Sequence, residues 1–209
     1  MLDNVEVFCQ NSIKIKSGKT IYVDPLNIDK EYHDADMIFI THDHYDHFSL
    51  KDISRIINDK TKIILPKKMV SNAKQINIDK ERIFFVDPNE KYNIGAVLFE
   101  TVPSYNKIKP FHPKGNNWVG YIIKMDKDYY IAGDTDALEE LKSVKCDVAF
   151  LPIGGVYTMD YKEAAKLANS IKPDVIVPVH YGSIVGDIKD GQRFKELIDK
   201  DIKCEIYIK

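Results

Sequence analysis

The sequence predicts an α/β protein, α+β in overall character, built from layered β-sheets flanked by helices. Three observations carry that expectation. The first forty residues break into short strand-like runs separated by turn signals. The last third alternates apolar runs with helical patterns. Runs such as "MIFI" and "DVIVPVH" are continuously apolar, the pattern of strands covered on both faces.

In order, "NVEVF", "SIKIK" and "TIYVDP" read as strands broken at Gln10-Asn11 and Ser17-Gly18. "MIFI" is a buried strand. A helix follows from Ser49, with Leu50, Ile53, Ile56 and Ile57 on one face, Ser49 as cap and Asp52 at the third helical position. "KIILP" is a strand, "KMVSNAKQI" a weaker helix, and strand character returns from "RIFFVD" through "NIGAVLFETVP". Ser104 to Asn117 has no periodicity, and a loop of that length in a compact domain is usually functional or disordered. "WVGYIIKM" and "DYYIAGD" are strands joined at Asp126-Lys127, and "CDVAFLPI" is another. The next helix spans Tyr161 to Ile171, opened by a capping box of Asp160 and Glu163, with Ala164, Leu167, Ala168 and Ile171 facing the core. "DVIVPVH" is a strand, "RFKELID" a helix and "CEIYIK" a closing strand.

Composition bounds the function. The 209 residues, 44% hydrophobic and 30% charged, suit one domain over 1–209. Lys and Arg (30) nearly balance Asp and Glu (32), so no global field points to nucleic acid or an anionic membrane. The three cysteines, Cys9, Cys146 and Cys204, form no paired motif and suit a reducing compartment. The N-terminal residues lack a basic-then-apolar pattern, and no apolar run approaches the ~18 residues of a membrane span. A cytoplasmic protein is expected, with its oligomeric state undetermined.

The segment "MIFITHDHYDHF" holds three of the six histidines. His42, His44, Asp46 and His47 follow directly on a buried strand. If the chain leaves it extended, His42 and His44 point the same way and can grip one ion, while Asp46 and His47 turn toward a second. Imidazole and carboxylate suit zinc, with manganese or iron as alternatives. "YYIAGD" delivers Asp134 at a strand end beside Gly133, and "VIVPVH" delivers His180. Alone, Asp134 could equally cap a following helix and His180 could be a satisfied core histidine. Three strand ends that each present ligand-type side chains favour a shared metal centre.

His42-x-His44-x-Asp46-His47, followed by Asp134 in "AGDTD" and His180 in "VPVHYG", resembles the metallo-β-lactamase superfamily. The likeness covers essentially the whole chain and is nearest the lactonase-like branch that includes ascorbate-6-phosphate lactonase. It implies a four-layer αββα sandwich. It also implies His42 and His44 on one metal, Asp46, His47 and His180 on another, and Asp134 bridging them. Asp24 matches an aspartate that supports the metals from behind. One departure stands out: the strand that should end in a further histidine ends instead in Ser104, Tyr105 and Asn106, and His112, within the loop, is the only imidazole nearby. His112 is therefore either a ligand of the first metal or a substrate-contacting proton donor. His33 is expected at the surface or behind the ligands.

Such a centre, with two zinc ions as cofactors, lowers the pKa of bound water toward ~7 and supports attack on an ester, lactone, amide or phosphodiester. Asp46, Asp134 and His112 are expected to take part in catalysis as well as in holding metal. No GxSxG, Walker or GxGxxG motif competes. The partner is a small-molecule substrate. Lys107, Lys109 and Lys114, with Tyr105 and Trp118, are candidates to meet an anionic group, or simply solvate the loop; Gly154, Gly155 and Tyr157 are candidates for the same mouth. Two other readings remain: a di-iron redox centre, although no flavodoxin-like domain accompanies it in these residues, and a non-catalytic or regulatory metal-binding protein.

Overall fold

The computed structural model describes residues 2–208. Its strands form two sheets. The first is six-stranded, in the order β1 (Val5–Val7), β2 (Ile13–Ser17), β3 (Lys19–Val23), β4 (Met37–Phe39), β5 (Lys62–Pro66) and β6 (Ile83–Val86). The second has seven strands: β7 (Lys91–Ile94), β8 (Val97–Pro103), β9 (Val119–Lys124), β10 (Asp128–Ile131), β11 (Val148–Pro152), β12 (Val175–Val179) and the two-residue β13 (Lys203–Cys204). Helices α1 (Leu50–Ile56) and α2 (Val70–Ala73) follow strands of the first sheet, and α3 (Tyr161–Ile171) and α4 (Asp190–Lys195) those of the second.

Strand alternation sorts the buried side chains into three layers. Phe39, Ile21 and Val23 face Phe99, Tyr121, Ile131 and Val177 across the gap between the sheets. Ile38, Ile40, Ile63 and Leu65 turn outward against Ile53 and Ile56 of α1 and Ala73 of α2. Tyr130, Ala149 and Ile176 turn the other way, onto Ala164, Leu167, Ala168 and Ile171 of α3 and Phe194 of α4. Helix, sheet, sheet, helix: this is the expected αββα sandwich. Ser49 caps α1, accepting from Asp52 N at 3.3 Å. The Asp160–Glu163 capping box opens α3 as the sequence indicates.

Topology places the site. β3, β4 and β5 are parallel to one another, as are β10, β11 and β12. β8 and β10 each run antiparallel to β9, so they share a direction. The segments leaving β8, β10 and β12 therefore emerge at one edge of the second sheet.

Three elements differ from expectation. The helix expected over 68–76 shrinks to a 3-10 turn at Lys67–Met69 and the four residues of α2. The helix expected at 193–199 starts earlier, at Asp190, whose carboxylate accepts from Asp187 N at 3.0 Å; it then tightens into i→i−3 turns, Leu197 N to Phe194 O (3.0 Å) and Ile198 N to Lys195 O (3.3 Å), which leave Leu197 exposed. The closing strand ends at Cys204 because, after Glu205 N donates to Ile176 O, the chain swings away so that the Tyr207 hydroxyl meets the backbone of Leu2. Lys209 of that expected strand lies outside the described residues.

Candidate metal centre

All seven candidate ligands converge. Chain reversal at His44–His47, where Phe48 N and His47 N both donate to the His44 carbonyl, folds the "HDHYDH" segment over the end of β4. Three donor groups result: His42, His44 and His112; His42, His47 and Asp134; Asp46, His47 and His180. Asp134 lies between them, with Oδ2 3.2 Å from both His112 Nε2 and His180 Nε2, and Oδ1 3.4 Å from His47 Nε2. Asp46 Oδ2 is 3.3 Å from His180 Nε2. Asp134 does not cap a helix, because the next helical turn begins only at Glu139. His33 sits at the surface, bonded to the Ile57 carbonyl and Glu31.

The hydrogen bonds behind the cluster fix which ring nitrogens face inward. Asp24 is fully buried and accepts from Asn11 Nδ2 (2.7 Å), Thr41 N (2.8 Å), Thr41 Oγ1 (2.6 Å) and His47 Nδ1 (2.8 Å). His47 thus carries a proton on Nδ1 and turns Nε2, the nitrogen left to face a cation, toward Asp134. Because the Thr41 hydroxyl donates to Asp24, it can only accept from His42 Nδ1 at 3.0 Å, so His42 Nε2 also faces inward as a lone pair. It lies 3.1 Å from His44 Nδ1.

His112 is set by the same logic, through residues that carry no motif. Asn106 donates from Nδ2 to Asp136 Oδ1 (3.0 Å) and to the Tyr157 carbonyl (2.9 Å), which fixes the amide's orientation. Its Oδ1 then accepts from both His112 N and His112 Nδ1, each at 3.0 Å. The remaining nitrogen, Nε2, points at Asp134. Ser104, where a strand-end histidine was expected, instead donates from Oγ to the Asp134 carbonyl at 3.0 Å. Trp118 packs beneath the rings of His42 and His44, 5.0 Å from each.

The donor set fits divalent cations. His47 Nε2, His112 Nε2 and Asp134 Oδ1 are buried without a hydrogen-bond partner, an arrangement costly in itself that bound cations would relieve. Burial pushes the His42 pKa well below its ordinary value, helped by the neighbouring His47, and burial with His112 lowers that of His44, so both are neutral near pH 7. Burial opposes ionisation of Asp46, but the His180 hydrogen bond and the His47 charge outweigh it and hold the carboxyl at about 2. Burial likewise opposes Asp134, and His180 and His47 again prevail, keeping it ionised. For His47 burial is overcome by Asp134 and Asp24, which raise its pKa well above the usual value. Without metal, a proton sits where a cation would.

Close backbone approach needs two glycines. A Cβ on Gly154 would stand 2.5 Å from the His180 carbonyl oxygen, and one on Gly133 3.1 Å from Thr41 Cβ. Gln10, Asp24 and His180 all adopt left-handed backbone, at φ 47°, 44° and 56°. Gln10 escaped the sequence reading apart from its place in a turn. It is fully buried, accepts His180 N on its carbonyl at 3.0 Å, and brings its amide within 3.5 Å of His180 Nε2.

Of the loop residues proposed to meet an anion, Lys107 donates to the Ala137 carbonyl, Lys109 to Asp136 and the Thr158 carbonyl, and Lys114 lies over the Tyr105 ring. A cavity of about 350 Å³ opens over the cluster, lined by Tyr45, Phe111, Tyr157 and Ile184 together with His44, Asp46, His112, Asp134 and His180. Among the described residues, no helix is long and apolar enough to cross a membrane.

The sequence and the fold have counterparts. A model of the beta-lactamase superfamily domain matches residues 5–180. A Pyrococcus horikoshii protein named as a metal-dependent hydrolase is 31% identical over 210 residues, covering 93% of this chain and 90% of its own. A solved structure from Parabacteroides distasonis, also named as a metal-dependent hydrolase, superposes with a TM-score of 0.81 at 29% identity, over 98% of this chain and 93% of that one. The diiron β-hydroxylase of Streptomyces venezuelae shares the fold (TM-score 0.76, 14% identity, 97% of this chain and 52% of that one). Fold alone therefore does not choose the chemistry.

Proposed function

The chain is a metal-dependent hydrolase of the beta-lactamase superfamily, and we propose that it works with two zinc ions per chain on a small-molecule ester, lactone, amide or phosphodiester. His42, His44 and His112 would hold one ion, Asp46, His47 and His180 the other, and Asp134 both. One observation carries this reading: Asp134 Oδ2 is equidistant, at 3.2 Å, from a histidine of each group. When bound, the ions supply Lewis acidity and a water acidified toward neutral pH.

The chain's own residues supply the rest. Asp24, through Thr41 and His47, holds rings from both groups with Nε2 turned inward, so metal binding requires little movement of the rings. The Asn106 bond to His112 Nδ1 favours the ligand role for His112, because the proton sits on the nitrogen facing away from the cluster. Phe111 and Tyr157 place apolar surface beside the site, which strengthens the charge interactions next to them. The nitrogen- and oxygen-rich donor set suits zinc, and manganese or iron would accept it too.

The test is metal analysis of protein purified without added metal, paired with a hydrolase panel. Zinc with turnover supports the reading. Iron with redox activity and no hydrolysis would replace it with the di-iron centre, and metal with no turnover on any class would favour a binding role.

A further inference from the structure

We propose that, beyond its reacting group, the substrate of this site carries an apolar body free of anionic groups, held against the joined apolar surface of Phe111 and Tyr157 with Tyr45 and Ile184. The proposal rests on the hydrolase reading above and adds the substrate class to it. Apart from the candidate ligands, every residue lining the cavity is aromatic or aliphatic: Tyr45, Phe111, Tyr157 and Ile184. Tyr45 is 71% exposed, Ile184 45% and Phe111 40%. A single exposed apolar side chain is ordinary; several ringing a mouth over buried charge mark a binding surface.

These walls are preformed. The Phe111 and Tyr157 rings meet edge to face at 4.6 Å. The loop and the turn that carry them are tied by Asn106 Nδ2 to the Tyr157 carbonyl and by Lys109 Nζ to the Thr158 carbonyl. A rigid apolar cleft with its polar groups gathered at the base is the usual form of a small-molecule site.

Charge points the same way. No lysine or arginine lines the cavity among the described residues, and the three loop lysines are engaged elsewhere, on Ala137, Asp136 and Tyr105. An anionic group on the body of the substrate would lose water against aromatic walls and gain no partner.

The experiment compares two probes with the same metal-reaching carboxylate, 2-naphthoate and 6-sulfo-2-naphthoate, titrated calorimetrically into the metal-loaded protein. The unsulfonated probe should bind at least about ten-fold tighter, and Phe111→Ser or Ile184→Ser should each weaken it by up to about ten-fold, the scale of one aromatic or aliphatic contact, with metal content unchanged. Equal or tighter binding of the sulfonated probe, failure of both probes to bind, or indifference to both substitutions would overturn the proposal. Turnover of 2-naphthyl acetate and the wider hydrolase panel is read separately. Selective binding without any hydrolysis counts against the hydrolase reading alone, and hydrolysis with charge-indifferent binding counts against the apolar wall alone.

Discussion

Replacing Asn106 by alanine should loosen the cation held at His112 without touching a ligand. Asn106 is buried, and its amide makes four bonds of 2.9–3.0 Å: two accepted from His112 and one donated to each of Asp136 and the Tyr157 carbonyl. At a net ~0.5–1.5 kcal/mol apiece, these bound the folding cost at ~2–6 kcal/mol. Water entering from the cavity can re-satisfy the His112 side, so a loss near ~2–3 kcal/mol is expected in urea denaturation. The effect on metal is separate. Without Asn106 Oδ1, the imidazole is free to turn and to move its proton onto Nε2, and losing a supporting partner of this kind typically costs ~10–100-fold in affinity. Chelator competition on the loaded protein measures it. Because Asn106 acts through His112, the same substitution in a His112→Ala background should change affinity by less than about two-fold. Asn106→Ala with reduced stability but unaltered affinity would refute the ligand role of His112. Equal losses in both backgrounds would show that Asn106 acts elsewhere.

Lys109→Met, which removes the Lys109 bonds to Asp136 and the Thr158 carbonyl, should raise KM several-fold with metal content unchanged; an unaltered KM would move the substrate mouth away from this loop. Gly154→Ala places a Cβ against the His180 carbonyl and should cost about 1–3 kcal/mol of stability, read as a lower Tm; an unchanged Tm would show that the backbone yields there. Chelation should lower Tm, since cation at a hundred times its Kd adds about 2.7 kcal/mol, and a protein whose Tm ignores both chelator and added zinc would hold no cation here. Metal affinity should rise with pH: His47, its pKa raised by Asp134 and Asp24, must release a proton before it can ligate, so the proton competes best at low pH. A pH-independent affinity would remove His47 from the ligand set.

Much of this centre was legible because its chemistry is local in sequence. His42, His44, Asp46 and His47 follow one buried strand, and continuous apolar runs announced the strand ends that deliver Asp134 and His180. The capping box of α3 was legible for the same reason, since a helix start is written within four residues. What could not be read depends on distance. Asn106 orients His112 across six positions of an aperiodic loop, and Gln10 meets His180 170 residues away; an amide has no spacing rule to betray it. The loop lysines looked free because a sequence does not show that Asp136 and the Ala137 and Thr158 carbonyls lie within reach. The helix read at 193–199 forms one turn earlier, because the Asp190 carboxylate accepts from Asp187 N to start it and i→i−3 turns tighten its end.

The most direct test of a two-cation site bridged by Asp134 is metal content per chain, wild type against Asp134→Ala, by elemental analysis of folded protein. The wild type should bind two ions. The variant should keep its circular dichroism spectrum, hold at most one ion and lose most turnover. One tightly bound ion in the wild type, or two ions and full turnover in Asp134→Ala, would contradict the shared centre.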